Sequence, residues 1–114
     1  MILEGVFYIL EINKTKNNIR IGGVVLNDIH KNDKLIFAEE LDTDLHHNYA
    51  DKNDRITIDK KIVTYSIDVD NIVFYNVYVD YLEAGMSAII ECEYNEFIRT
   101  GMILYRYYKD SYEL

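Results

Sequence analysis

Apolar residues recur at every second position along most of this chain, and that period of two limits the fold more than any other feature. Val63, Tyr65, Ile67 and Val69 alternate with Thr64, Ser66 and Asp68, and Ala88, Ile90, Cys92 and Tyr94 alternate with Glu91 and Glu93. Successive side chains of a strand point to opposite faces, so each run reads as a half-buried β-strand. Val6, Tyr8, Leu10 and Ile12 place a first strand on one face, Ile19 to Leu26 a second, and Leu35 to Phe37 a short third. Val73, Tyr75, Val77, Val79 and Tyr81 read as one further strand, and Met102 to Tyr108 as the last. Only Asp44 to Tyr49 suggests a helix. Proline is absent, so the segments keep the amide donors that a sheet ladder needs.

Turn residues punctuate the strands. Gly85 and Gly101 stand at corners where positive φ makes a tight turn, Asn32 and Asp33 form another turn, and Gly22-Gly23 marks a bulge or sharp bend. Seven or so short strands of this kind predict an all-β fold, a closed or nearly closed antiparallel Greek-key barrel of six to seven strands. At 114 residues and 13.5 kDa, residues 1–114 read as a single domain. A hydrophobic content of 49% suffices for a core without disulfide or metal staples.

One segment departs from the rhythm. Residues 38–55 carry Glu39, Glu40, Asp42, Asp44, Asp51 and Asp54 against Lys52 and Arg55, a local charge of −4 within a net charge of −8. A connection of this length is uncommon and tends to be functional or mobile, so it reads either as a solvated insertion into the barrel or as an acidic contact surface. The overall acidity repels phosphate backbones and favours a basic protein partner over nucleic acid. No apolar run reaches the length of a membrane span, the start lacks a basic leader region, and the single Cys92 has no internal partner. Together these predict a cytoplasmic protein.

Groups that could carry chemistry are few. His46-His47 with Asp42, Asp44 and Asp51 is the one cluster suggesting metal, but adjacent histidines point apart, and the calcium-like Asp42-Thr43-Asp44 start ends on Asn53 where a glutamate is needed. Asp68 and Asp70 share a face as an acid/base pair would, yet strand-end acids are usually solvated turn formers. Cys92, paired in principle with His30 or His46, lies among apolar neighbours that favour an inert thiol. No catalytic residue, metal site or cofactor is expected. Tyr78, Tyr107 and Tyr108 are the aromatic candidates for a partner-binding face.

Four stretches, taken in order, resemble the second, β-barrel domain of translational GTPases of the elongation factor Tu type. They are Ile21-Gly22-Gly23-Val24-Val25-Leu26, Ile29 to Leu35 with Asn32 where that family has glycine, Leu82-Glu83-Ala84-Gly85 through Glu91, and Glu96 to Leu104. The resemblance implies a stand-alone barrel that docks other molecules. The phosphate-binding Gly-x-x-x-x-Gly-Lys-Ser/Thr pattern is missing, so it implies no GTP hydrolysis. Charge, size and the lack of a catalytic constellation lead to a non-catalytic, protein-binding domain. Its concrete form is a small acidic inhibitor or immunity-type protein that neutralises a basic, nuclease-like toxin. The alternatives are a translation-factor-like barrel contacting RNA or the ribosome, and a structural accessory subunit.

Overall fold

A computed structural model of the protein describes residues 2–38, the backbone of 55–57, and residues 63–108. Among these there is no helix. The strands are β1 (Ile2–Lys14), β2 (Asn18–Val25), β3 (Ile29–His30), β4 (Lys34–Phe37), β5 (Arg55–Thr57), β6 (Tyr65–Asp68), β7 (Asn71–Phe74), β8 (Val77–Val79), β9 (Tyr81–Leu82), β10 (Ser87–Glu93) and β11 (Ile103–Tyr107). The main sheet runs β6-β4-β11-β1-β2-β10-β7-β8, with β5 beside the start of β1, and β3 pairs with β9 separately. Every ladder is antiparallel.

The sheet is a half-barrel and not the expected closed barrel of six to seven strands, because no ladder joins β8 to β6. Two local features account for this. Val73 to Tyr81 is a hairpin and not one strand: Tyr75 and Asn76 take φ of 50° and 63°, and the chain reverses there. Positive φ at both central residues is the type I′ form, whose twist suits a two-residue hairpin. That hairpin adds β8 at the edge where closure would occur. At the other edge β6 leads into β7 through Val69 and Asp70 alone, so covalent chain bridges the seam.

Bulges decide which residues face inward. The β1 register slips between Gly5 and Phe7 against β11, and between Ile9 and Glu11 against β2. Each extra residue shifts the alternation by one. Phe7, Ile9 and Ile12 therefore face the core, Tyr8 packs on the opposite side and Leu10 is exposed. The single face expected for Val6, Tyr8, Leu10 and Ile12 does not form. Gly22 and Gly23 likewise lie inside β2 and not in a turn; the bulge is in β1 opposite them. Gly85 and Gly101 do turn, at φ of 94° and 89°, as does Asn32 at 75°.

The inner face holds the main core, from Phe7, Ile9, Ile21, Leu35, Phe37, Ile72, Ile90 and Leu104 among others. Leu3, Leu26, Ile36, Ala38, Ile103 and Tyr105 form a second apolar cluster. Ile103 and Tyr105 alternate with Leu104, and Ile36 with Leu35 and Phe37, so β11 and β4 are apolar on both faces.

Candidate functional site

The outer face of β1, β2, β10 and β7 can be read row by row, since residues directly opposite in a ladder project to the same side. Asn13, Arg20, Glu91 and Asn71 make one row. Glu91 is engaged from both sides: Arg20 Nε lies 3.2 Å from its Oε2 as an ion pair, without hydrogen-bond geometry, and Asn71 Nδ2 donates to its Oε1 at 3.2 Å. The next row is Glu11, Gly22, Ile89, Val73 and Tyr78. The row beyond, Tyr8, Val24 and Ser87, borders the second apolar cluster.

The middle row is notched. Gly22 presents no side chain between Glu11 and Ile89, and the Glu11 side chain leans into the space, its Cγ 2.9 Å from where a Cβ on Gly22 would stand. Leu10, bulged out of β1, and Met86, beside the Gly85 turn, are exposed on either side. Tyr75 caps one end of the notch, 84% exposed and set edge-on to Phe74 at 4.5 Å. These groups enclose an open groove of about 790 Å³ lined also by Ser87 and Ala88. That volume lies within the range of ordinary small-ligand sites and is larger than one side chain, which would fill only part of it. Glu11 is its one charged lining residue, and no hydrogen bond or ion pair holds that carboxylate among the described residues.

Tyr75 is held at a cost. A bulky residue at positive φ is strained by roughly 1 kcal/mol or more, and asparagine or glycine would relieve it.

A second polar cluster ties the turns together at one end of the half-barrel. Arg106 Nε pairs with Glu4 Oε1 at 2.7 Å, and its Nη1 donates to the Asp28 carbonyl at 2.6 Å. Asp28 accepts from the Ala84 amide at 3.1 Å and the Tyr81 hydroxyl at 3.2 Å. Burial, then that bond to Asp28, raises the Tyr81 phenol above its ordinary pKa. The His30 amide donates to Asp33 Oδ2 at 2.8 Å. Asp28 and Asp33 hold turns, and the Glu4–Arg106 pair links β1 to β11 across their ladder.

The residues singled out in the sequence scatter. Tyr78 belongs to the notched row, four strand steps or about 19 Å from Glu11. Tyr107 packs on the second apolar cluster and Tyr108 follows it, so neither joins Tyr78. Glu39, Glu40, Asp42, Asp44, Asp51 and Asp54, with His46 and His47, lie outside the described residues. Asp68 and Asp70 border a small cleft of about 180 Å³ with Glu93, but no three of His, Cys, Asp and Glu gather closely enough to hold a metal among the described residues.

Cys92 is fully buried in the main core, and desolvation, followed by the nearby Asp70 and Glu93 carboxylates, pushes its thiol up to about 12. A thiol so disfavoured as thiolate is no nucleophile at neutral pH. The folded protein keeps its proton where the unfolded chain loses it above about pH 9, so stability declines above that pH by up to about 1.4 kcal/mol per pH unit. Urea unfolding at mildly and strongly alkaline pH measures this, and Cys92→Ala removes that part of the slope.

Compared with protein-family models, curated proteins and solved structures, the chain matches none. Its chemistry is therefore read from its own geometry.

Proposed function

We propose that this chain is a non-catalytic, protein-binding domain of the small acidic inhibitor type, which captures a basic protein through the notched groove of its outer face. One observation carries the reading: exposed Leu10, Met86 and Tyr75 surround a groove whose only charge, among the described residues, is negative. Exposed apolar and aromatic groups gathered at one concavity supply the buried area of an interface, and an aromatic rim is its usual anchor. The net charge of −8 steers a basic partner toward it and repels nucleic acid. The acidic residues Glu39 to Asp54 add to the same field.

Affinity capture from native lysate at low and high salt, using the parent chain, Tyr75→Gly and Met86→Lys, whose added cation sits in the Glu11 groove and repels a basic partner, tests the reading. The expected result is a basic protein held at low salt and lost with both variants. Tyr75→Gly gains about 1 kcal/mol of stability by relieving positive φ, so its loss of binding cannot be laid to unfolding. Copurifying ribosomal RNA sinks the reading in favour of an RNA-contacting barrel, and a stoichiometric, salt-insensitive complex favours a structural subunit.

A further inference from the structure

We propose that the groove is a slot for a single lysine or arginine side chain of the protein partner, with Glu11 as its specificity-determining acceptor and Gly22 as the residue that keeps the slot open. This rests on the protein-binding reading above and adds the chemistry of recognition. Of the two charged rows on this face, one is internally spent, since Glu91 is occupied by Arg20 and Asn71. The other ends on Glu11, which no group among the described residues neutralises. A carboxylate on an apolar floor is complementary to a cation with an apolar stem. Lysine and arginine have that shape, an aliphatic stem that covers hydrophobic surface and a charged head that seeks a partner.

The glycine notch gives the Glu11 side chain its place, which sets the carboxylate at the end of an apolar floor for the stem. Directly across the ladder from Glu11 the strand offers only Gly22, and beyond it Ile89 and Val73 continue the row as an apolar floor. A side chain entering between Leu10 and Met86 lies along the row with its head at Glu11. The exposed ring of Tyr75 covers flanking apolar residues of the incoming segment, and an aspartate or glutamate in the same place is repelled by Glu11. Any larger residue at position 22 displaces Glu11 and fills the slot, since even a methyl group falls 3.0 Å from Glu11 Oε1.

The test titrates the isotope-labelled full chain with two capped tripeptides, N-acetyl-Leu-Lys-Leu amide and N-acetyl-Leu-Gln-Leu amide, and follows backbone amide resonances. The lysine peptide is expected to shift the amides of Leu10, Glu11, Gly22, Gly23 and Met86 and to bind about fivefold more tightly than the glutamine peptide, as a partly exposed charge pair allows. Glu11→Gln abolishes the difference without altering the fold, whereas Arg20→Gln, in the neighbouring row, leaves it intact. Gly22→Ala weakens the lysine peptide although Glu11 is still present. Equal binding of the two peptides at the groove overturns the cation slot while leaving the protein-docking reading standing. Shifts mapping elsewhere, or no binding of either peptide, overturn it as well, and capture unaffected by Tyr75→Gly and Met86→Lys removes the docking reading too. If n-butylammonium alone perturbs these amides as strongly as the lysine peptide, the slot belongs to a free amine and the proposal falls.

Discussion

Gly23→Ala is expected to destabilise the protein by more than about 3 kcal/mol, while Gly22→Ala, one residue away, changes stability by no more than about 1 kcal/mol. A Cβ on Gly23 would lie 1.9 Å from the Tyr8 carbonyl oxygen and 2.8 Å from Phe7 Cε2. The first obstacle is backbone of the paired strand, which cannot move without opening the β1–β2 ladder. A Cβ on Gly22 meets only the Glu11 side chain, which can swing toward solvent. Chemical denaturation of the two variants measures the contrast. Equal midpoints would mean that the strands separate more easily than the register implies. The pair also divides the roles of the double glycine: position 23 permits the fold, and position 22 shapes the groove.

Arg106→Met is expected to cost about 2 kcal/mol, since it strands the mostly buried Glu4 carboxylate and leaves the Asp28 carbonyl without its donor. Removing both charges, as Glu4→Gln with Arg106→Met, costs about 1 kcal/mol less than the sum of the single changes, because the penalty of an unpaired buried acid disappears. Urea unfolding of the four proteins in the cycle yields the coupling. Strict additivity would show that the 2.7 Å contact contributes nothing beyond its packing.

Strands β1, β2, β4, β10 and β11 are legible in the sequence because their alternation or apolar runs are long and glycine and asparagine mark the corners. The hairpin at Tyr75-Asn76 is not legible, since tyrosine is a poor occupant of a positive-φ position and the apolar residues on either side keep the period of two. Without that hairpin the strand count favours a closed barrel. The groove is hidden for a different reason. Glu11, Gly22, Ile89 and Val73 are adjacent only through register, and the Leu10 bulge, invisible to periodicity, puts Glu11 on the outer face. Gly22-Gly23 was the available signal, and it indicates irregularity without saying whether a turn or a close approach requires it.

The central position of β1 governs how the molecule is assembled. Its later half pairs with β2 a few residues on, but its beginning meets β11, with Glu4 and Arg106 separated by 102 positions. Such a pairing must close a very long loop before any contact offsets the lost entropy, which places folding in the slow range for a domain of this size. During synthesis the β1–β2 hairpin is made well before β11, so Phe7, Ile9 and Ile21 lack the cover that Leu104 gives them until that strand arrives. Apolar surface left partly uncovered over that interval is prone to stray association, a hazard that the sheet order builds into synthesis.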